Sequence, residues 1–269
     1  MKPDGFLLAG ACLLLLSVLA VALIPALSKT DPNAMSAAEK LLPPGKAHLF
    51  GTDQFGRDLF IRVLRGAGTT LTVAGATVLI GAFFGVLAGA AAGYLGGAAD
   101  AVLMRLSDVI TAFPAVLPAL ILMSLGGGGG ARRLIFALGL VFIPGYARIT
   151  RTCFASLKAR PFILNARLQG VKTGRLIFRH LLPNTRSALL PAISIGFNNA
   201  VLAEAGMSYL GVGVAPPDAS LGYMLAEAQG LLYNAPWYAL CVCGTLLLPV
   251  FAVGLIGVGL QQERRARDA

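Results

Sequence analysis

Side chains that could carry out chemistry are sparse in this sequence of 269 residues, and they do not form a catalytic set. The two histidines, His48 and His180, each lack the partnered cluster of ligands that a metal site needs. Cys241 and Cys243 are separated by one residue, whereas zinc and redox pairs have two residues between their cysteines. Because no Ser/His/Asp or His/Glu metal set is present, the sequence predicts a protein that is not an enzyme and has no metal site.

One acidic residue and one run of glycines could still serve a ligand. Glu204 closes a long apolar run, where it could bind an ion or substrate at membrane depth or lie at the outer interface. The five glycines Gly126 to Gly130 could cradle a phosphate, but no Gly-Lys-Ser/Thr follows them, which favours a flexible outer turn. The chain has no Gly-x-x-x-x-Gly-Lys-Ser/Thr motif, so we do not expect it to bind ATP in that way.

The composition indicates an integral membrane protein. Only 13% of the residues are charged and 57% are hydrophobic, whereas a soluble globular domain carries about 25% charged residues. The net charge of +10 could suggest nucleic acid as a partner. However, the positive charges lie between apolar runs, where the bias of membrane proteins towards basic cytoplasmic loops already accounts for them. We therefore predict the lipid bilayer, and no nucleic acid, as a partner.

Six apolar runs predict six membrane-spanning helices and hence an all-α polytopic membrane protein. The first run is too long for the hydrophobic part of a signal peptide, so a retained helix is expected. Pro114 and Pro118 are expected to kink the third helix. The fourth has only 14 uncharged residues, which is short for a span. The six runs are Phe6–Leu27, Gly66–Ala99 ending at the turn Gly96-Gly97, Ala101–Leu125, Leu134–Ala147, Ser187–Ala203 and, approximately, Pro236–Leu260.

A basic stretch from Arg148 to Arg186 sets the orientation of the chain. It holds nine Lys/Arg and no acidic residue, so it should stay in the cytoplasm. No Lys or Arg occurs between Ser187 and Trp237, which fits an outer location. The tail from Glu263 to Arg267 is basic again, and both termini are therefore predicted to be cytoplasmic.

Two short helices are predicted inside the basic stretch. Pro161–Gln169 has a helical apolar pattern that Gly170 interrupts, and Thr173 could cap a second helix, Gly174–Leu182, which Pro183 ends. Such a compact protrusion could fill a groove on a soluble partner and transmit force. It could equally be an amphipathic loop that rests on anionic lipid.

The basic stretch resembles the EAA coupling loop of ABC-transporter permeases. That pattern is Glu-Ala-Ala, three residues, Gly, nine residues, then Ile-x-Leu-Pro. Ala166, Gly170, Leu182 and Pro183 fit it, whereas three positions depart from it: Leu164 replaces the Glu, Asn165 the first Ala and His180 the Ile. The resemblance implies that these seven residues couple the chain to an ATPase.

Two further stretches resemble the dipeptide/oligopeptide/nickel branch of these permeases. One is Ser208-Tyr-Leu-Gly-Val-Gly213, followed by Pro216-Pro217 and Leu221-Gly222. The other is an outer-loop motif, in which the charged residues could pair and fold the loop or touch a binding protein. Its residues are His48, Gly51, Thr52, Asp53, Gly56, Arg57 and Asp58.

The resemblance implies a type I ABC importer permease fold in the bacterial cytoplasmic (inner) membrane. Residues 1–65 would form the first transmembrane helix and an extracytoplasmic loop, and residues 66–269 the permease core with coupling loop 148–186. The chain, as the second permease subunit, would form half of a path for di- or oligopeptides. Its implied partners are a homologous permease, two ABC ATPase subunits that hold ATP and Mg²⁺, and an extracytoplasmic solute-binding protein.

Two alternatives stay open. Nickel or a metal chelate could be imported by the same mechanism. An ion-coupled secondary transporter is the competitor from another class, but it would need paired ionisable groups at mid-membrane, and the uncharged run Gly66–Ala99 argues against it.

Glycines four residues apart in the second run, among them Gly85 and Gly89, form small-xxx-small pairs. We expect them to pack against another helix and to help hold the complex with the second permease together.

Overall fold

The computed structural model describes residues 3–28, 30–125 and 129–268, with side chains described for all of them except residues 3–4 and 264–268. Within these residues the protein is helical and has no strand beyond an isolated bridge between Thr52 and Asp58. The predicted all-α class is therefore confirmed. The helices are α1 (Pro3–Leu27), α2 (Leu59–Leu95), α3 (Gly97–Thr111), α4 (Val116–Leu125), α5 (Ala131–Lys158), α6 (Pro161–Leu168), α7 (Thr173–Arg175), α8 (Leu182–Tyr209), α9 (Leu221–Gln229) and α10 (Pro236–Asp268).

The long helices account for six membrane crossings. Five segments are long and apolar enough to span by themselves, namely Gly5–Leu27, Leu59–Leu95, Ala131–Lys158, Thr173–Tyr209 and Pro236–Glu263. Helices α3 and α4 meet the same test together, although they are bent by 86° at the break between them. Counted with this broken span, the described residues contain six candidate spans, the number predicted.

The helix contacts define two ends of the bundle. Lys158 Nζ donates a hydrogen bond to the carbonyl of Tyr94 (2.7 Å), so α2 and α5 finish at the same end, here called the α6 end. The N–H of Gly130 donates to the carbonyl of Gly213 (3.0 Å), so α5 begins where α8 has just finished, at the α9 end. The chain leaves α2 at the α6 end and enters α5 at the α9 end, so it must cross the bundle between Leu95 and Ala131. Helices α3 and α4 are the helices described in that segment, and together they make the crossing.

Helix α5 extends well past the predicted span Leu134–Ala147. Arg148 was expected to follow the helix, but it lies inside it and donates from Nη2 to Asp108 Oδ1 (3.0 Å) on α3. Arg151, one turn later, pairs through two nitrogens with Asp100. Because α3 supplies acidic partners for Arg148 and Arg151, helix α5 continues past both arginines. Residues 148–158 of the basic stretch are therefore helical.

The prolines behave differently from one another. Pro114 lies in the break between α3 and α4, as predicted, whereas Pro118 occupies the first turn of α4, where a missing N–H costs nothing. Pro183 does not end a helix, which corrects the prediction. The π-helical turn Leu176–Leu181 precedes it and accommodates the ring, so one continuous helix runs over Thr173–Tyr209. Lys172 occupies the N-cap position predicted for Thr173.

Two other boundaries also shift. Helix α2 begins at Leu59, not at Gly66, because the side chain of Asp58 caps it. Helix α8 continues past the predicted end at Ala203 to Tyr209, so that Glu204 is a helical residue. The predicted turn Gly96-Gly97 is confirmed by positive φ angles of 69° and 54°. Of the glycine run Gly126 to Gly130, the first three residues lie outside the described residues.

A glycine stripe joins α2 to α5. A Cβ atom on Gly85 would lie 2.6 Å from Tyr146 Cβ, and one on Gly93 would lie 2.7 Å from Phe154 Cβ. Gly81 and Gly89 meet α5 in the same way. The close packing predicted for these glycines is therefore confirmed, but the neighbour is a helix of the same chain. That they also help to hold the two permeases together stays a prediction.

Candidate functional site

Helix α6 is a two-turn helix that the end of α5 and the start of the next long helix hold in place. Ile163 and Ala166 on its inner face are buried in one apolar cluster with Phe154, Leu176 and Leu181. The outer face is apolar as well, with Phe162, Leu164 and Leu168 exposed at 44%, 46% and 86%. The chain thus presents an apolar surface on a small element whose inner face is packed against two long helices.

Gly170 forms the turn that ends α6. Its φ angle of +75° is in the left-handed region, which favours glycine. The N–H of Gly170 donates to the carbonyl of Arg167 (2.9 Å), and the N–H of Val171 donates to the carbonyl of Ala166 (3.1 Å). These two bonds make a Schellman motif, and Val171 packs against the apolar cluster that holds Ala166. Gly170 therefore directs the chain back onto the core below α6.

The residues of the EAA-like pattern lie on two adjoining elements. Leu164 and Asn165 are exposed on α6, and Ala166 is buried beneath them. His180 is half-buried on the π-helical turn, where its carbonyl accepts from Asn184 Nδ2 (2.6 Å). The last two residues begin α8, with Leu182 half-buried against the α6 cluster and Pro183 exposed.

Basic residues lie on α6 and on the segments next to it in the chain. The guanidinium of Arg167 lies 5.2 Å from the ring centroid of Tyr94, and the ammonium of Lys158 lies 5.7 Å from it. These cation–π contacts connect α6 and α5 to the end of α2. Further exposed cations lie nearby along the chain, namely Arg160, Lys172, Arg175, Arg179 and Arg186.

The outer-loop motif lies at the opposite end of the bundle and folds around the carboxylate of Asp53. This carboxylate is fully buried and accepts from the backbone N–H groups of Phe55 (2.8 Å) and Arg57 (3.0 Å). It also accepts from Arg57 Nε. Gly51 and Gly56 have φ angles of +76° and +74°, so glycine suits both turns.

The remaining motif residues attach this loop to α2. His48 Nδ1 lies 2.8 Å from Asp58 Oδ2, and Asp58 Oδ1 accepts from the N–H of Ile61 (3.1 Å) as the N-cap of α2. The buried hydroxyl of Thr52 accepts from the N–H of Leu42 (2.8 Å) and donates to the carbonyl of Glu39. The structure thus brings all seven motif residues together in one fold of the loop. A contact with a binding protein stays a prediction.

Three residues that the sequence analysis missed complete this cluster. Arg62, exposed at 3%, has Nε 3.7 Å from Asp53 Oδ2 and Nη2 3.8 Å from Glu227 Oε2. Arg57 Nη2 lies 3.7 Å from Glu227 Oε1, and Tyr238 Oη donates to Glu227 Oε2 (2.8 Å). One signal was available, since Glu227 is the single charge between Asp218 and Glu263, and an acid in an apolar run needs a partner.

Glu204 is fully buried near the end of α8, and a role for it in binding an ion or substrate stays a prediction. Its Oε1 accepts from Ser208 Oγ (2.7 Å), and that hydroxyl accepts from the N–H of Val214 (3.0 Å). The N–H of Gly211 donates to the carbonyl of Ser208 (3.0 Å), and its φ angle is +76°. The Ser-Tyr-Leu-Gly motif therefore ends α8 and turns the chain towards α9.

A cavity of about 340 Å³ lies where the α3–α4 break meets α5 and α8. Its lining is mostly apolar, and Thr111, Tyr146 and Asn199 add polar groups. In the part of the chain that the structure describes, no group of three or more His, Cys, Asp or Glu could hold a metal ion.

Comparisons with known proteins agree with these features. The chain is 40% identical over 256 residues to a putative peptide transport system permease protein of Brucella suis, covering 94% of this chain and 84% of the relative. It is 32% identical over 261 residues to the dipeptide transport system permease protein of Alkalihalophilus pseudofirmus (97% and 86% covered). It is 31% identical over 260 residues to the oligopeptide transport system permease protein of Bacillus subtilis (97% and 85% covered).

A solved structure agrees at the level of the fold. An inward-facing MetNI methionine ABC transporter superposes with a TM-score of 0.61 at 20% identity, covering 76% of this chain and 95% of that chain. Residues 81–266 match the family described as "Binding-protein-dependent transport system inner membrane component". This match sets aside the ion-coupled secondary transporter and confirms the ABC importer permease fold. The chain belongs to the family of binding-protein-dependent transport system inner membrane components.

Proposed function

We propose that the chain is the permease subunit of an ATP-driven importer for di- or oligopeptides and forms half of its translocation path. The relatives named for peptides, dipeptides and oligopeptides support peptides as the substrate class. A homologous permease completes the path, and an extracytoplasmic binding protein delivers the peptide. ATP and Mg²⁺ are held by two separate ATPase subunits, since this chain lacks the phosphate-binding motif.

The observation that carries the proposal is the placement of α6. Its buried face shares one apolar cluster with α5 and with the helix that starts at Thr173. A displacement of α6 by a partner would therefore also move both membrane helices. Its exposed face offers Phe162, Leu164 and Leu168, and basic residues lie next to α6 along the chain. This surface suits an ATPase groove with an apolar floor and an acidic rim. The family pattern has Glu where this chain has Leu164, so the contact there is apolar.

The orientation follows from the charges. Helix α10 starts at the α9 end, where Tyr238 contacts Glu227, so its last turns lie at the α6 end, and Leu7 near the start of α1 packs against Gly259 there. The α6 end also holds the basic stretch, so it faces the cytoplasm and both termini are cytoplasmic. The α9 end, with residues 30–58, faces outward in the bacterial inner membrane.

The helix packing suggests how force is passed on. ATP binding closes the two ATPases and moves α6, and α5 moves with it. Helix α2 follows α5, because the glycine stripe allows no space between them. The cavity between α5, α8 and the α3–α4 break then changes its access, and its polar groups, such as Asn199, face the peptide.

Uptake measurements test this proposal. Cells that lack the chain, and cells in which it is restored with its partner subunits, are given labelled trialanine or labelled nickel. We expect restored uptake of trialanine that depends on ATP and persists when an uncoupler removes the ion gradient. Uptake of nickel alone would contradict the substrate, and uptake that stops with the uncoupler while ATP is maintained would contradict the mechanism.

A further inference from the structure

Three buried charged residues and the partly buried Glu227 join three separate parts of the chain at the α9 end. Asp53 and Arg57 belong to the outer loop, Arg62 to the first turns of α2, and Glu227 to α9. Their side chains are between 1% and 13% exposed. The two acids and two arginines balance in charge, so removing any one of them leaves an unpaired charge in a buried place.

The contacts of this cluster are short within the outer loop and longer between the arginines and Glu227 of α9. Asp53 and Arg57 are hydrogen-bonded within the loop. By contrast, the ion pairs from Arg57 and Arg62 to Glu227 span 3.7 Å and 3.8 Å, beyond ordinary hydrogen-bond length. The loop is therefore a unit in itself, and Glu227 is the point at which α9 meets it.

A continuous chain of contacts leads from the surface to the membrane helices through this cluster. Phe55, 40% exposed, lies under the guanidinium of Arg57, whose central carbon is 4.6 Å from the ring centroid. Arg57 faces Glu227, and Glu227 accepts a hydrogen bond from Tyr238 (2.8 Å), a fully buried residue at the start of α10.

Helix α9 is in turn packed closely on two other membrane helices. A Cβ atom on Gly222 would lie 2.7 Å from Ala205 Cα of α8. On the other side, a Cβ on Gly66 of α2 would lie 3.3 Å from Met224 Sδ. A displacement of Glu227 would therefore also displace α2, α8 and α10.

We infer that Glu227 is a positioning residue for transport. When a binding protein docks on the outer loop, Glu227 transmits the resulting movement of the loop to α9 and α10. The loop also exposes Met35 and Leu49, which offer a docking protein apolar contacts in addition to Phe55, and it exposes Lys46. This inference rests on the proposed function, in which a peptide-loaded binding protein docks on the outward side.

The test uses the whole transporter, with both permeases and both ATPases, in lipid nanodiscs. The ATPase rate is measured with and without saturating binding protein loaded with trialanine, and the ratio of the two rates is the readout. Glu227→Gln keeps the size of the side chain and an acceptor for Tyr238, but it removes the charge. We expect this ratio to fall by at least about fivefold, a typical magnitude for coupling between sites.

A double variant distinguishes two effects of losing Glu227: the loss of coupling between the outer loop and α9, and the destabilisation caused by an unpaired arginine. Glu227→Gln with Arg62→Gln leaves one acid and one arginine, so its melting temperature should return towards that of the unmodified protein. The stimulation ratio should nevertheless stay low, because the negative charge that pairs α9 with Arg57 of the loop is absent. A double variant with normal stimulation would overturn the inference and reduce the cluster to a structural one.

A surface variant tests the outer part of the chain of contacts without disturbing the buried charges. Phe55→Ala should lower the ratio at saturating binding protein. Tyr233→Ala is the matched control, since Tyr233 is a fully exposed aromatic residue between α9 and α10, and it should leave the ratio unchanged. Equal ratios for both variants would contradict the inference. Absence of stimulation in the unmodified transporter would instead refute the proposed function, on which the inference rests.

Discussion

A single methyl group on the glycine stripe should destabilise the permease, and the same change elsewhere on the same helix should not. A Cβ atom on Gly89 would lie 2.7 Å from Thr150 Cβ and 3.0 Å from the carbonyl carbon of Ala147. Carbon atoms pack at about 3.5–4.0 Å, so α2 and α5 would have to separate locally by about 1 Å. Overpacking of this kind costs about 1–3 kcal/mol.

The matched control is Gly75, which is also inside α2 and has no atom within 4 Å of its added Cβ. There, alanine should be neutral or stabilising by up to about 1 kcal/mol through its higher helix propensity. The melting temperatures of the purified variants measure the difference. Since 1 kcal/mol corresponds to about 2–4 °C in a protein of 150–250 residues, Gly89→Ala should melt at least about 2 °C lower. Equal melting temperatures for the two variants would refute the close α2–α5 packing.

Three further substitutions test individual turns and caps. Gly170→Val should abolish peptide uptake while membrane insertion persists, because a β-branched residue is strained at a φ of +75°, and Gly170→Asn should retain uptake. Asp58→Ala should lower the free energy of unfolding by about 1 kcal/mol through loss of the α2 cap, whereas Asp58→Asn keeps the cap and should cost less in the same denaturation measurement. Gly222→Ala should displace α9 from α8 and lower the melting temperature; an unchanged value would contradict the contact with Ala205.

Features that depend on local sequence were predictable. The apolar runs gave the six crossings, because length and composition alone decide whether a helix can span a bilayer. The glycine stripe was visible from its spacing of four residues, and the turn at Gly170 from the end of an apolar helical pattern. These signals lie within a few turns of one another and need no knowledge of the packing.

Features that depend on distant partners were not predictable. The sequence predicts too early an end for α5, because Arg148 and Arg151 are typical of the start of a loop and their partners Asp108 and Asp100 belong to another helix. The helix that the glycine stripe contacts was likewise not predictable, since spacing identifies a contact face but not the helix that packs against it. The apolar pattern of the sequence did not indicate the π-helical turn that accommodates Pro183.

The outer cluster shows both limits together. Asp53 and Arg57 could be paired from their spacing, and the structure pairs them. Glu227 follows them by about 170 residues, and only its isolation in an uncharged run indicated that it needed a partner. A lone acid in an uncharged run therefore predicts that a cation is near, while the fold determines which one.

Site-specific photocrosslinking from α6 tests the central claim most directly. A photoreactive amino acid replaces Leu164, which is exposed on α6, or, as the control, Leu49, which is exposed at the opposite end of the bundle. In membranes that hold the whole transporter, position 164 should crosslink to an ATPase subunit, and position 49 should not. Adducts of position 164 with lipid alone would contradict the account, because α6 would then rest on the membrane surface and could not transmit the force of ATP binding to α5 and α8.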